Sequence, residues 1–450
     1  MQKHDKKCLY FVPRILLKDQ FDLELLDKQD RIKLMTYQQL EAILMKGEKE
    51  PTHYDFIVAD ECHYFTSDSN FNPRTDISFN WIMRQNTSIK IFMSATIKGF
   101  IHLLQYVSPV WHSPIRLPQD YSYIDKLTFF TSEEHIEQIA NEVIANNKKA
   151  IFFLSSVELT YKIYQDHKGH MIFAVSSSNK HFKDMDHTAI ERMIGDKKFD
   201  TNILITTTVL DSGFTLRDSA IDVILTDIFD PEEIVQCVGR KRVANEQDYI
   251  KLYVRDWSNQ QINGFIKKLR DKFDNALLAI SNEEQYHIVN ERQNDNSGII
   301  INVPVGVDEQ GNTIYEKRLS ITKFARFEYL IYNLYPAILN TSYKKYISKL
   351  FGFYYSMSGQ CEYNFMSKES DNLTAYLNFI TGKALLTTDD RKALIETIHA
   401  TNKNGKLLKG IETLNGVLKE QGFPHRIMKY STTVGDKRYR NAWKVINPQE

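Results

Sequence analysis

The sequence is poor in the features that define several large classes of protein. Its four cysteines, Cys8, Cys62, Cys237 and Cys361, stand far apart and form no CxxC pair. This spacing argues against a disulfide framework or a zinc ribbon and predicts buried thiols in a reducing compartment. No apolar run approaches the roughly 18 residues of a membrane span, and the polar N-terminus does not resemble a signal peptide. We therefore expect a cytoplasmic protein with no membrane partner.

The chain also lacks a net charge. Lys plus Arg and Asp plus Glu number 57 each in 450 residues, so no global field attracts nucleic acid. Hydrophobic residues make up 42% and charged residues 25% of the chain, which is typical of a soluble globular protein. The length allows two to four domains. Any attraction to nucleic acid must therefore be local.

One short segment carries recognisable chemistry. Residues 56–59, FIVA, form an apolar run of β-forming residues, and Asp60 and Glu61 follow at once. A buried parallel strand delivers acids in this way to the carboxyl edge of a sheet, where ligands bind. There Asp60 can hold Mg²⁺ between nucleotide phosphates, and Glu61 can orient an attacking water. Taken alone, such a segment is more often an acidic turn after a core strand, because such turns are common.

Strand-like and helix-like runs alternate through two successive blocks, residues 1–117 and 118–257. This alternation is typical of parallel α/β sheets. Ser113-Pro114 and Leu117-Pro118 interrupt the pattern and predict a linker between the blocks. Strands are expected at 8–12, 32–35, 56–59, 89–93, 150–154, 172–175, 203–206 and 223–225.

Seven short motifs in these blocks resemble, in order and spacing, those of DEAD/DEAH-like superfamily-two helicases. Asp60-Glu-Cys-His63 resembles motif II, the Walker B box. The other similar segments are Tyr10 to Arg14 with Gln20 (motif Ia), Met35 to Gln38 (a phosphate-contacting segment), Ser94 to Thr96 (motif III), 150–156 (motif IV), 203–216 (motif V) and 236–242 (motif VI). The wording of the last two looks most like helicase-like proteins of phages and low-GC bacteria.

The resemblance implies two tandem RecA-like domains that bind ATP with Mg²⁺ in the cleft between them. It gives Asp60 the metal and Glu61 the water, and it places Gln236 and Arg240 at the γ-phosphate, Arg240 as an arginine finger. Coupling to the nucleic acid would fall to Ser94, Ala95, Thr96, Thr207, Asp211 and Gly213. The sugar-phosphate backbone of DNA or RNA would contact Pro13, Arg14, Thr36 and Tyr37.

Three of these assignments have structural alternatives. Ser94 to Thr96 could cap the next helix, Gly213 could serve a turn, and Arg240 could be a surface arginine.

Two features depart from the family pattern. The sequence contains no P-loop, GxxxxGK[ST], whose backbone N–H groups and lysine cradle phosphates. We therefore expect an incomplete first RecA-like domain and a chain that starts after its P-loop or borrows one from a partner chain. At the strand from Ile89 to Met93 we expect either an open edge or a substitute strand, from Met1 to Lys7 or from a partner chain. In motif VI the family form QxxGRxxR ends here at Val243, with Arg242 one place early.

The composition changes after residue 257. Residues 258–365 predict a helical region with a hairpin, and the aromatic residues between 321 and 339 could either stack on bases or form core. Residues 356–371 predict a linker.

Residues 366–450 predict a winged-helix-like domain with helices at 389–399 and 406–420 and a strand pair around 434–436. Between Lys406 and Lys444 nine basic residues face three acidic ones. This local excess predicts nucleic-acid contact through Lys406, Lys409, Arg438 and Arg440. A solvated surface is the alternative.

Two functions remain open from the sequence alone. The first is an ATP-dependent helicase or translocase in a form that lacks the P-loop. The second is a catalytically silent nucleic-acid-binding relic, or one subunit of a split helicase. Intact Asp60, Glu61, Gln236 and Arg240 favour the first, because a long-silent site should have drifted.

Overall fold

The computed structural model divides the chain into two compact units. The first comprises residues 1–127 and 142–362, and the second comprises residues 128–141 and 363–450. The structure describes residues 6–13, 31–107, 113–176, 179–207, 215–245, 247–290, 298–307, 310, 313–355, 360–366, 373, 376–377, 380–398, 400–401, 407–420, 423–434 and 437–447.

A four-stranded parallel sheet opens the first unit. Its strands are β1 (Cys8–Val12), β2 (Ile32–Thr36), β3 (Phe56–Ala59) and β4 (Ile89–Phe92), in the order β2-β1-β3-β4. The helices between and after them are α1 (Tyr37–Met45), α2 (Tyr64–Ser67), α3 (Thr75–Arg84) and α4 (Lys98–Val107). All four predicted strands of this block are present.

The core of this sheet lies on one face. Leu9, Phe11 and Ile57 pack there against residues of α1, α3 and α4. Ile91 pairs with Val58 and therefore projects from the opposite face, where 41% of its surface is exposed. Among the described residues β4 pairs only with β3. An open edge at Ile89 to Met93 therefore stays a prediction, compatible with the pairing of the residues that the structure describes.

A second parallel sheet follows, largely in the same unit; residues 128–141, which form the end of its first strand and most of its first helix, belong to the second unit. Its strands are β5 (Ile124–Phe130), β6 (Lys149–Phe153), β7 (Met171–Ala174), β8 (Ile203–Thr206), β9 (Ile221–Thr226) and β10 (Ile250–Arg255), in the order β5-β10-β9-β6-β8-β7. Its helices are α5 (Glu133–Ala145), α6 (Val157–Asp166), α7 (His187–Asp196) and α8 (Pro231–Val238). The predicted α/β class, with two parallel-sheet domains in tandem, is confirmed.

Accessory elements complete the first unit. They are α9 (Asn259–Ser281), α10 (Glu283–Asn290), β11 (Ile300–Val307), β12 (Thr313–Leu319), α11 (Ile321–Tyr329), a π-helical turn at Leu330–Leu334, α12 (Tyr335–Thr341), α13 (Tyr343–Leu350), β13 (Tyr354–Tyr355) and β14 (Gln360–Cys361). The aromatic residues Phe324, Phe327, Tyr329 and Tyr335 are buried, as the core alternative requires, whereas Tyr332 is 54% exposed.

The second unit contains a small antiparallel sheet. The elements of this unit after residue 362 are β15 (Asn364–Met366), β16 (Ala384–Leu385), α14 (Thr388–Ile398), α15 (Ile411–Glu420), β17 (Arg426–Val434) and β18 (Lys437–Ile446). The antiparallel sheet has the order β16-β18-β17. β15 pairs with residues 128–130 at the end of β5. The linker predicted for 356–371 is therefore wrong where it is described, because β14 and β15 form ladders there. The predicted helix at 406–420 begins only at Ile411.

Two predictions about chemical class can be compared with the structure. All four cysteines are free thiols, three of them buried and Cys361 partly exposed. Within the described ranges, no helix combines the length and the apolar character needed to cross a membrane.

Candidate functional site

The two acidic residues of motif II lie at the carboxyl edge of the first sheet. Strand β3 ends at Ala59, and the Asp60 carboxylate accepts a hydrogen bond from the Glu61 N–H at 3.0 Å and from the Tyr10 hydroxyl at 3.2 Å. Glu61 adopts a left-handed backbone with φ of 48°. A residue other than glycine is rarely held in this region, and such strain concentrates at functional sites. The local fold therefore constrains both carboxylates.

The two carboxyl groups differ in acidity. Burial, followed by the charge of Glu61, raises the pKa of Asp60. Burial would also raise the pKa of Glu61, but the hydrogen bond and charge of His63, with the charges of Arg240 and Arg242, bring it below its ordinary value. Glu61 is consequently ionised at neutral pH and lies in the field of both motif VI arginines.

His63 connects motif II to motif III. Its Nδ1 atom lies 3.1 Å from Glu61 Oε2 and 2.9 Å from Ser94 Oγ. The Ser94 hydroxyl also accepts a hydrogen bond from the Thr96 N–H at 3.0 Å. The imidazole thus joins the residues that follow β3 to those that follow β4.

Helix α8 brings motif VI to the same network. Asp230 caps the helix and Pro231 occupies its first turn, a combination that favours helix initiation. The Gln236 amide donates to Thr96 Oγ1 at 3.1 Å, across 140 residues of sequence. Arg240 in turn donates from Nη2 to Gln236 Oε1 at 3.2 Å. The Gln236 side chain is 5% exposed, so this contact between the two sheet domains is buried.

The network can hold a metal ion only together with a phosphorylated ligand. In the described part of the chain, no three His, Cys, Asp or Glu side chains come together as a metal site. Mg²⁺ in nucleotide sites needs only one or two protein carboxylates, because phosphates and waters complete its shell. The Asp60 carboxylate fits that requirement. Glu61 and Arg240 fit the roles of water-orienting base and charge stabiliser.

Several other predicted site residues are placed away from this network or outside the description. Thr207 is buried after β8, where its carbonyl accepts a hydrogen bond from Thr206 Oγ1 at 3.1 Å. The Ala95 carbonyl accepts from Gln119 Nε2 at 2.9 Å. Arg14, Asp211, Gly213 and Lys406 lie outside the described residues.

Three of the predicted nucleic-acid residues of the first sheet, Pro13, Thr36 and Tyr37, have buried side chains. Tyr37 is completely buried, stacks on Tyr64 at 4.4 Å between ring centroids, and donates from its hydroxyl to the Asp60 carbonyl at 2.7 Å. Thr36 caps α1 with its side chain and is 2% exposed. Pro13 is also buried. The Tyr37 hydroxyl thus helps to position Asp60, and nucleic-acid contact by Pro13, Thr36 and Tyr37 stays a prediction.

The predicted contact residues of the second unit are placed differently. Lys409, Arg438 and Arg440 are all exposed. Their exposure leaves them accessible to a phosphate backbone, and nucleic-acid contact by these residues stays a prediction.

Sequence reasoning missed three members of the site. Tyr10 lies within the motif Ia segment, but only the fold brings its hydroxyl to Asp60. His63 is the last residue of DECH, yet no spacing indicates that it would bond Ser94. Arg242 acts on Glu61 through its charge although it stands one place early in motif VI. For the last two, the motif letters were the available signal.

A family model described as "Type III restriction enzyme, res subunit" (ResIII) matches residues 17–99. The match contains β2, β3 and β4 with Asp60, Glu61, Ser94 and Thr96. The match covers less than half of the chain. No curated protein sequence matches the chain significantly.

Three solved structures illustrate the similarity to known folds. Dbp5 of S. cerevisiae bound to RNA and ADP BeF3 is 11% identical, with 58% of this chain and 74% of that chain covered and a TM-score of 0.42. The Mycobacterium smegmatis helicase Lhr bound to ssDNA and AMP-PNP is 14% identical, with 59% of this chain and 42% of that chain covered and a TM-score of 0.41. The E. coli DExH-box NTPase HrpB is 11% identical, with 58% of this chain and 37% of that chain covered and a TM-score of 0.39.

Proposed function

We propose that this protein is an ATP-dependent helicase or translocase acting on DNA or RNA, in a form whose phosphate-binding P-loop is not among these 450 residues. The observation that carries the proposal is the unbroken series of contacts from Glu61 through His63, Ser94 and Thr96 to Gln236 and Arg240. Such a series links the state of a nucleotide site to the placement of two domains, as a motor requires.

The chain's own residues divide the chemistry between the two sheet domains. Asp60 would hold Mg²⁺, which supplies neutralisation of phosphate charge when it is bound with ATP. Glu61 orients the attacking water through the carboxylate that His63 fixes in place. Arg240 approaches from the second domain and stabilises charge on the transferred phosphoryl group. Closure of the two domains would therefore complete the site.

The open side of the first sheet supports a partner that carries the P-loop. Strand β4 offers an unpaired backbone edge within the described residues, and Ile89, Ile91 and Met93 beside it are 60%, 41% and 37% exposed. A strand followed by a helix would pair with this edge and cover this face, and a P-loop unit consists of a strand, GxxxxGK[ST] and a helix. We propose that such a segment, from a partner chain or from a longer form of this chain, binds at β4.

A second candidate function follows from the same edge: the chain acts as one subunit of a split helicase. In that case Asp60, Glu61 and Arg240 complete an active site only after association. A catalytically silent relic is less consistent with the intact network. The free thiols of all four cysteines support a reducing, cytoplasmic location.

The experiment adds a strand, P-loop and helix segment to the 450-residue chain, in trans or as an N-terminal fusion, and measures ATP turnover with single-stranded DNA and RNA. We expect turnover that nucleic acid stimulates and that Glu61→Gln abolishes. The matched control is Glu48→Gln, at a half-exposed carboxylate outside the site, which should leave turnover unchanged. Absence of stimulated turnover in every combination would contradict the proposal.

A further inference from the structure

Helix α11 bonds to helices of the first sheet domain. Near its N-terminus, the Thr322 N–H donates to Asp76 Oδ1 at 2.9 Å, and Thr322 Oγ1 lies 2.8 Å from Thr75 Oγ1 on α3. Ala325 belongs to the hydrophobic core of that domain. Near the other end, Glu328 Oε2 lies 2.9 Å from His102 Nε2 on α4. The helix is therefore anchored along its length to the first domain.

The same helix bonds to the second sheet domain through Arg326 and Tyr329. Arg326 is 1% exposed, and its guanidinium donates to Glu232 Oε2 at 2.8 Å and to Asp230 Oδ2. Tyr329 adds a hydrogen bond to Glu232 Oε1 at 3.2 Å. Burial alone would lower the pKa of Arg326, but the charges of the two carboxylates outweigh burial and raise it. The arginine is thus a buried cation shared with the first turn of α8.

Gly99 shows how closely the first domain approaches this cation. Gly99 lies on α4, three residues after Thr96, and a Cβ atom added there would lie 3.1 Å from Arg326 Nη1. That distance is too short for comfortable contact, and Arg326 has little freedom to retreat because two carboxylates hold it. The absence of a side chain at this position makes room for the guanidinium.

The geometry of α8 relates this ion cluster to the candidate active site. Glu232 and Gln236 are four residues apart on one helix and therefore share a face. Arg326 holds the first of them, and Thr96 of motif III accepts a hydrogen bond from the second. Helix α8 is consequently attached to the first domain at two points one turn apart.

We propose that Arg326 is a positioning residue that sets the two sheet domains in register, so that Gln236 stays at Thr96 and Arg240 stays beside Glu61. The arginine's planar fork suits this task, because its donors bond two carboxylates in fixed directions, whereas a lysine is a point charge on a flexible stem. The benefit to catalysis rests on the proposed function, whereas the placement of the domains does not.

The test measures the distance between the two sheet domains by double electron–electron resonance. Spin labels are attached at Met45→Cys and Gln165→Cys, both at exposed positions, in a Cys361→Ser background; the other three cysteines are buried. We expect one narrow distance distribution for the parent chain, a broadened or shifted one for Arg326→Met, and an intermediate one for Arg326→Lys. An unchanged distribution in folded Arg326→Met would overturn the proposal.

Two further variants keep the result interpretable. Lys149→Met removes an ion pair with Asp218 inside the second sheet domain, and it should lower stability without changing the distribution; a change equal to that of Arg326→Met would overturn the specific role of Arg326. If Arg326→Met does not fold, Arg326→Lys, which keeps the charge and loses the planar fork, is measured instead. A shifted distribution then supports the proposal, and an unchanged one overturns it. Because no nucleotide is present, failure of the proposed ATPase leaves this readout unaffected.

Discussion

The buried ion pair between Lys241 and Asp248 offers a quantitative test of how motif VI is held. Lys241 lies between Arg240 and Arg242. Its side chain is fully buried, and the side chain of Asp248 is 1% exposed. The lysine ammonium donates to Asp248 Oδ1, and the second carboxylate oxygen accepts from the Ala244 N–H at 2.9 Å. The pair therefore closes the loop that follows the two arginines.

Removing one partner leaves the other charge buried without compensation. In Lys241→Met, the Asp248 carboxylate stays buried and keeps the hydrogen bond from Ala244 but loses its counter-charge. Removing one member of a buried pair lowers the free energy of unfolding by about 3–5 kcal/mol. The double variant Lys241→Met/Asp248→Asn removes both charges and retains an oxygen for the Ala244 N–H. We expect this variant to lie within about 1 kcal/mol of the parent chain. The coupling free energy between the two sites should therefore be at least about 2 kcal/mol.

The assay is urea unfolding of the parent, both single variants and the double variant, followed by tryptophan fluorescence. Hydrogen exchange of residues 239–250 would show whether the loop opens first. The control, Lys6→Met, breaks a pair with Asp55 in which the lysine is half exposed, and it should cost no more than about 1 kcal/mol. A cost below about 1 kcal/mol for Lys241→Met, or strict additivity in the double variant, would refute this reasoning.

Three further predictions follow from other regions. Burial raises the pKa of Glu41 above its ordinary value of 4.5, so the folded state binds more protons at Glu41 than the unfolded state does. The free energy of unfolding therefore falls as pH rises from 4.5 through the raised pKa, and Glu41→Gln should flatten this part of a pH series of unfolding curves. Ile91→Lys should suppress any self-association at the open edge of β4, seen as a loss of concentration dependence in sedimentation velocity, and equal association of both proteins would count against that edge. Neutralising Lys409, Arg438 and Arg440 to Gln should reduce the slope of log K against log salt for duplex DNA by about 0.9 per lost phosphate contact, whereas neutralising Lys392 to Gln on α14 should not change it.

The sequence predicted the parts of the fold that local pattern controls. The apolar run before Asp60 and Glu61 is a buried strand, and the alternation of strand-like and helix-like runs corresponds to parallel sheets. Hydrophobic alternation and short-range motif order sufficed for both, because each depends on neighbouring residues. The start of α15 was placed five residues too early. Within the segment expected to be helical, Leu407 forms a β-bridge with Thr401 and Gly410 directly precedes the helix.

The tertiary contacts of the site could not be predicted in this way. Tyr37 stands in a motif-like segment, yet packing buries it completely and leaves only its hydroxyl for the Asp60 carbonyl. Arg326 meets its carboxylates across 94 and 96 residues of sequence, a separation over which no periodicity carries information. Such partners are selected by how the domains pack, which a single sequence does not reveal.

The central claim is that this chain supplies the metal-binding, water-orienting and arginine groups of an ATPase site without a phosphate cradle. The most direct test is ATP turnover by the purified 450-residue chain, with and without single-stranded nucleic acid. We predict turnover at background in both conditions, because Asp60 and Glu61 do not by themselves hold the β- and γ-phosphates. Nucleic-acid-stimulated turnover by this chain alone, lost in Glu61→Gln, would contradict the account.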